Sequence, residues 1–360
     1  MKALQICIVT TSDLIYDQRL SRISKSLEGA GFHVSFFSRS KHGQIANAQQ
    51  NIIVKAIFKK SFLFYLEFNI RLFVKLVFRN WDIVYSSDAD TLLAAALANL
   101  LKRKKLIFDA HEYFEESPEI VDKPFVQWVW ESICRFGIPK ASLCLTVSKS
   151  LADALSKKYK VPFLTIRNLP EKQKSIPRSI SINNIIWYQG VLNIGRGLEQ
   201  MISAMVHLPE FEFHLAGEGD LSNNLRKIVE DLGLYERVKF LGWKHPNELH
   251  ELASNAYIGI NLLDGFSSNY YHSLANKTFD YIQAGLPSIH MDFPEYRDLK
   301  KHYGATHLIP DLSEASIIAA IKQMQDPIFH AQLKQECLAA SQILIWQEEE
   351  KLLVGALENM

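Results

Sequence analysis

Short apolar runs recur along the chain, each followed by a polar or glycine-containing turn and then by a stretch with apolar residues three and four apart. The runs predict strands at 6–10, 34–38, 83–85, 106–109, 143–147 and 164–166. A second set is predicted at 185–188, 212–216, 238–241, 258–262, 288–291 and 306–309. Many of these are apolar at every position, as strands covered on both faces are. Strands alternating with helices predict parallel sheets joined by right-handed crossovers. Two such sets predict an α/β protein of two Rossmann-like parallel-sheet domains. Ligands of open parallel sheets lie beyond the C-terminal ends of the strands, so the expected arrangement has both sets of loops facing one cleft.

A chain of 360 residues is too long for one ordinary core. The expected division is an N-terminal domain at 1–170, a polar linker at 171–184 next to Pro170 and containing Pro177, and a C-terminal domain at 185–340. A last helical stretch, 341–360, has Trp346, Leu352, Leu353 and Leu357 as its apolar positions.

Charge narrows the partners. The formal net charge is +1, which gives no reason to expect nucleic acid. Cys7, Cys134, Cys144 and Cys337 are widely spaced with no Cys-x-x-Cys pair, which argues against a zinc site or a disulfide scaffold and fits a reducing cytoplasm. The apolar stretch after Lys2 is short and lacks a cleavage pattern, so it reads as a buried first strand. No apolar run is long enough to predict a spanning helix.

The richest chemistry lies at 273–287, Ser-Leu-Ala-Asn-Lys-Thr-Phe-Asp-Tyr-Ile-Gln-Ala-Gly-Leu-Pro. It reads as a loop, a short helix and a Gly-Leu-Pro turn into a strand. A helix N-terminus exposes unpaired N–H groups and attracts phosphate. Lys277 adds a charge there, and Asp280 lies one turn further on, where a carboxylate can meet sugar hydroxyls. Asn276, Lys277, Phe279, Tyr281, Gly285 and Pro287 resemble the nucleotide-sugar motif of the retaining glycosyltransferases of family 4, which have the two-domain GT-B fold. Ala275 stands where that family has Pro, and Asp280 where it has Glu.

The resemblance implies that the last helix, 341–360, crosses back to the first domain, and it implies roles residue by residue. After strand 185–188, Gln189-Gly190 and Arg196-Gly197 resemble the family's glycine turn and the basic residue that binds the donor diphosphate. An Arg at a helix N-terminus opposes the macrodipole, which favours an anion partner. Asn276, Lys277 and Arg196 are therefore expected at the diphosphate. Asp280, His272, Gly190, Gly217, Gly219 and Lys244 are expected around the ribose, sugar or base. His272 stands where the family has an acidic residue, and Val191 where it often has a basic one. In the first domain Asp109-Ala110-His111-Glu112 resembles the family's Asp-x-His-Glu, whose His lies close to the donor sugar. A neutral His111 could bind a hydroxyl or handle the acceptor's proton. Glu112, Asp17 and Arg19 are expected on the acceptor side, with Asp17 equally suited to cap the first helix.

The chain shows no obvious Asp-x-Asp metal motif, so charge neutralisation without a metal ion is expected, and no cofactor. Arg196 and Lys277 would neutralise the leaving diphosphate, and the resemblance implies a front-face transfer with retention. The expected activity is transfer of a sugar from a nucleotide-sugar to an oligosaccharide or lipid-linked acceptor, in surface polysaccharide or lipopolysaccharide assembly. A GT-B nucleotide-sugar epimerase and a non-catalytic GT-B subunit are the alternatives. The stretch 55–81 carries Glu67, Arg71, Lys75 and Arg79 at spacing four on an otherwise apolar helix. It reads either as a helix covering the first sheet or as a membrane-surface helix, with Lys59, Lys60 and the cluster 102–105 adding attraction to anionic lipid. The expected location is cytoplasmic, peripheral on the inner face of the membrane in the second case.

Overall fold

The structure is a computed structural model. It describes residues 3–14, 17–39, 51–59, 61–117, 120–172 and 184–360. Most of the expected linker, and Lys60, lie outside the described residues.

The chain divides into two units, one of Met1–Asn168 with Glu349–Met360, the other of Leu169–Glu348. The first contains β1 (Gln5–Val9), α1 (Gln18–Gly29), β2 (His33–Ser38), β3 (Asn51–Ile53), α2 (Ser61–Val77), β4 (Ile83–Ser87), α3 (Ala89–Lys102), β5 (Lys105–Ala110), α4 (Pro124–Gly137), β6 (Leu143–Thr146), α5 (Lys149–Tyr159) and β7 (Phe163–Thr165). Its sheet is parallel throughout, in the order β3-β2-β1-β4-β5-β6-β7. The chain reverses its direction across the sheet between β1 and β4, in register Ile6 with Ile83 and Cys7 with Val84. That reversal splays the loops after the two strands apart and leaves a crevice at their C-terminal ends.

The apolar runs form strands because both faces are covered. All of β4 is buried, its two serines included. Asp17 starts α1 by accepting the Leu20 N–H at 3.0 Å, which satisfies one of the helix's orphan donors. In α2, Phe64, Phe68, Leu72 and Leu76 recur every four residues and are buried. Each contributes about 1.5–3 kcal/mol by leaving water. The short edge strand β3 was not among the expected strands; it has three residues, all half-buried, too few for a periodic signal.

The second unit contains β8 (Ile185–Gln189), α6 (Leu198–Ala204), β9 (Glu212–Ala216), α7 (Ser222–Asp231), β10 (Val238–Gly242), α8 (Pro246–Ser254), β11 (Ile258–Asn261), α9 (Ser268–Tyr271), α10 (Asn276–Gln283), β12 (Ser288–Met291), α11 (Pro294–Tyr303), β13 (Thr306–Ile309), α12 (Glu314–Met324) and α13 (Pro327–Ala340). Its parallel sheet has the order β10-β9-β8-β11-β12-β13, reversing between β8 and β11.

The last helix, α14 (Trp346–Glu358), begins in the second unit and ends in the first. Glu349 anchors it there: buried, it accepts the Arg167 backbone N–H at 2.8 Å and the guanidinium at 2.7 Å through Nε and 2.6 Å through Nη2. Trp346, Leu353 and Leu357 are buried. Leu352, expected among the apolar contacts, is instead 52% exposed because it turns to the opposite face.

Candidate functional site

In the second unit, the crevice between β8 and β11 is bounded by the loop after β8. Two tyrosines pin that loop. The Tyr188 hydroxyl donates to the Val191 carbonyl at 2.9 Å, and the Tyr270 hydroxyl to the Ile194 carbonyl at 3.1 Å. Gly190 has φ 130° and Gly217, after β9, has φ 144°. A Cβ on Gly217 would lie 2.0 Å from the Gly190 carbonyl oxygen. The two loops are therefore in direct backbone contact, which only glycine permits.

Lys277 lies in the first turn of α10. It is 8% exposed, and its Nζ sits 3.7 Å from the Tyr188 ring centroid and beside Gly190. Among the described residues the ammonium has no hydrogen-bond partner. Burial, then the charge of Arg196, hold its pKa well below the usual lysine range, against a smaller pull from Asp280. The Arg196 guanidinium lies 4.9 Å from the Tyr270 ring centroid, and its buried Nε likewise has no partner among the described residues. Two basic side chains thus lie on aromatic faces, each with a donor unmet among the described residues, in the crevice where the sheet order reverses. Unmet donors on buried basic groups are costly.

Asp280, one turn along α10, is half-buried. The Gln189 side chain donates to its Oδ2 at 2.7 Å and accepts from Trp187 Nε1 at 3.0 Å. Gln189, Tyr188 and Tyr270 were not foreseen; the signal available was a polar residue closing an otherwise apolar strand. Asn276 is exposed at the start of α10, and His272 ends α9, with burial lowering its pKa. Gly219 packs against the Leu192 carbonyl, where a Cβ would come within 2.5 Å. Lys244 is half-buried just beyond β10.

In the first unit a second constellation surrounds the crevice between β1 and β4. Asp109, at the end of β5, is fully buried. Arg19 chelates it, Nε to Oδ2 at 2.9 Å and Nη2 to Oδ1 at 2.8 Å, and donates Nη1 to the Ile166 carbonyl at 2.8 Å. This corrects the expectation for Arg19: at 3% exposure, with all three nitrogens engaged inside the unit, it holds Asp109 and does not face an acceptor. Asp17 takes the capping role. Glu112 is half-buried beside His111.

The side chain of His111 is 23% exposed, with Nε2 3.0 Å from Asp109 Oδ2 and Nδ1 3.7 Å from Asp88 Oδ2. Burial opposes its charge, but Asp109 and then Asp88 outweigh it and raise its pKa to about 9. This departs from the neutral imidazole expected from sequence. Asp88 and Asp90, an Asp-x-Asp spacing passed over in the sequence, go different ways. Asp88 turns to His111 from a backbone at φ 68°, and Asp90 accepts the Thr11 hydroxyl. Burial raises the Asp90 carboxyl to about 6. Among the described residues no three His, Cys, Asp or Glu side chains gather as a metal site.

Residues 18–170 match the profile of the family described as Glycosyltransferase Family 4, and residues 171–336 that of Glycosyl transferases group 1. The lipopolysaccharide core biosynthesis glycosyltransferase LpsD of Rhizobium meliloti is 26% identical over 132 residues, 36% of each chain. The match therefore spans about a third of that relative's length. Among solved structures, HepE of Anabaena, in complex with UDP and glucose, superposes with a TM-score of 0.79 at 15% identity, covering 99% of this chain and 100% of that one. WaaG, a glycosyltransferase involved in lipopolysaccharide biosynthesis, gives 0.75 at 14%, covering 97% and 98%. Together, the two consecutive profiles and the two Rossmann-like sheets place this chain among the family-4 glycosyltransferases of GT-B fold.

Proposed function

We propose that this chain moves a sugar from a nucleoside-diphosphate donor to a saccharide or lipid-linked acceptor in lipopolysaccharide or related surface-polysaccharide assembly. Transfer proceeds with retention and without a resident metal ion. The observation that carries this reading is the buried, unpartnered ammonium of Lys277 beside Arg196. A diphosphate supplies the charge that both lack, and it leaves with more negative charge than it brings. Groups already aimed at that charge lower the barrier without reorganising. Asn276 and the first N–H groups of α10 add dipoles to the same end. Asp280, steadied by Gln189, accepts the ribose hydroxyls. Gly190, Gly217 and Gly219 keep side chains out of the donor's path, while His272 and Lys244 border the sugar and base. His111 serves the donor sugar, and Glu112 and Asp17 the acceptor. The UDP bound by HepE supports a uridine donor, and LpsD and WaaG support the lipopolysaccharide setting.

Calorimetry with UDP, GDP, ADP and their glucose conjugates tests the donor site. One base is expected to bind, with affinity falling ~10- to 100-fold in Lys277→Ala and in Arg196→Ala, the span of one to two charge-assisted hydrogen bonds. Unchanged affinity in both variants would sink the assignment.

We also propose that the outer face of α2 rests on an anionic membrane on the cytoplasmic side. Opposite its buried stripe, α2 exposes Phe62, Leu66, Ile70 and Val74, with Phe78 just beyond it 84% exposed. Arg71 and the basic residues Arg103, Lys104 and Lys105 are exposed as well. Among the described residues no helix is long and apolar enough to cross a membrane, and surface seating suits an apolar face with basic residues nearby. Flotation with phosphatidylglycerol-containing vesicles should carry the protein upward, and less so after Phe62, Leu66 and Ile70 are changed to Ser. A chain that stays wholly in the soluble fraction would end this part of the reading.

A further inference from the structure

Four polar side chains lie fully buried beside the start of α10. They are Asn261, the last residue of β11, Ser288 and His290 on β12, and Tyr296 on α11. Asn261 and His290 are partners across the two strands, and Ser288 and His290 share one face of β12. The His290 ring lies on the Tyr296 ring, with centroids 4.7 Å apart and planes at 28°. A continuous hydrogen-bonded chain results. His290 Nε2 and Ser288 Oγ are 2.8 Å apart, and Asn261 Nδ2 lies 3.4 Å from His290 Nδ1. Asn261 Nδ2 also donates to the Tyr296 hydroxyl oxygen at 2.7 Å, and that oxygen accepts the Ala275 backbone N–H at 3.2 Å.

The chain ends on the residue that starts the donor helix. Ala275 is the N-cap of α10, and no side chain caps the helix there. Its φ is −66°, the value a proline ring imposes, reached here by a residue whose side chain leaves the backbone free. Its N–H is turned into the core. Lys277 follows two residues later, and with it the N–H groups assigned above to the diphosphate. The arrangement carries a cost, since Asn261 Oδ1 is buried with no hydrogen-bond partner among the described residues, and an unmet buried acceptor destabilises. Apolar side chains would cover the same faces of β11 and β12 without that cost. The placing of Ala275 is what the polar groups add.

We propose that Tyr296 is a positioning residue of the donor site: its hydroxyl, steadied by Asn261 and His290, holds the Ala275 N–H and so fixes the first turn of α10, and Lys277 with it, where the diphosphate binds. The proposal rests on the donor reading above and adds to it residues that touch no ligand. A helix start with no capping side chain frays, and donors that wander lose the aim on which charge stabilisation depends. The Tyr296 hydroxyl removes that freedom from within the core, as a proline would from within the backbone.

Calorimetry on the full chain tests this with inorganic pyrophosphate, UDP and uridine as probes. Tyr296→Phe keeps the ring against His290 and removes the hydroxyl. It should weaken pyrophosphate and UDP about 10-fold, the upper range of one ordinary hydrogen bond, and leave uridine within about twofold. A general loosening of the second unit would weaken all three alike. Ala275→Pro sets the same φ and has no N–H to satisfy, so adding it to Tyr296→Phe should recover most of the lost affinity. Pyrophosphate and UDP binding unmoved in Tyr296→Phe, or uridine falling in step with them, would overturn the proposal. So would a folded double variant that binds no more tightly than Tyr296→Phe alone. If Tyr296→Phe does not fold, hydrogen exchange on the unaltered chain carries the test. The Ala275 amide should be protected at least about 10-fold, and exchange at the rate of an exposed amide would overturn the proposal. Weaker pyrophosphate in Lys277→Ala with no change in Tyr296→Phe would remove this inference and leave the donor site standing. No change in Lys277→Ala or Arg196→Ala would remove the donor site itself.

Discussion

Lys277 shows what a single residue can be asked to do. It is buried on a tyrosine face and near a second cation, so its free state disfavours the proton. An arriving diphosphate reverses that preference. Donor binding should therefore favour proton uptake, and affinity should fall as pH rises. Calorimetry in buffers of different ionisation enthalpy reads the uptake, and Lys277→Ala should abolish it. The position and type of Lys277 were legible in the Asn-Lys-x-Phe pattern. Its burial and its missing partner were not, because both depend on Tyr188, which is nearly ninety residues distant. Gln189 was illegible for the same reason: only the fold brings it to Asp280.

At the scale of elements, strand and helix order followed from apolar periodicity, because strands covered on both faces must be apolar throughout. Loop contacts did not. The sequence places Gly217 after β9 and Gly190 after β8 around the donor, but not that their backbones touch. Gly217→Ala would place a methyl group 2.0 Å from the Gly190 oxygen, at a φ that side chains avoid. It should cost about 2–4 kcal/mol of stability in the second unit and weaken nucleotide binding more than tenfold, as read by thermal unfolding and calorimetry. The α2 helix makes the opposite point. Its composition left open a core helix or a membrane-surface one; the structure buries one apolar stripe and exposes another, so the core reading holds for one face and the membrane proposal rests on the other.

At the scale of the whole molecule, the two units titrate differently. In the second, His290 is fully buried among Ser288, Asn261 and Tyr296, and burial, then Lys277, lower it to about 3. A histidine kept neutral in the fold gives stability above its ordinary value of about 6.5 and loses it as pH falls toward 3, about 2 kcal/mol by pH 5. In the first, His111 is raised to about 9, so its contribution is full below about 6.5 and is lost as pH rises through 9. Asp90, raised to about 6, adds stability to the first unit as pH falls through that value toward its ordinary range. Hydrogen exchange at pH 5 and pH 9.5 should find the second unit yielding first in acid and the first unit yielding first in alkali. The same unit yielding first at both ends would contradict this.

By itself the sequence determined the α/β class and the two sets of strands, and it singled out Arg196, Lys277, Asp280 and His111 as candidates. These follow from local periodicity and from motifs short enough to be read along the chain. Only the tertiary structure decided what those residues face. It turned Arg19 inward onto Asp109, set Asp109 under His111, left the Lys277 ammonium without a hydrogen-bond partner among the described residues and laid α14 against Arg167. Each depends on groups far apart in the chain, and the burial that sets their charges exists only once the sheets have formed.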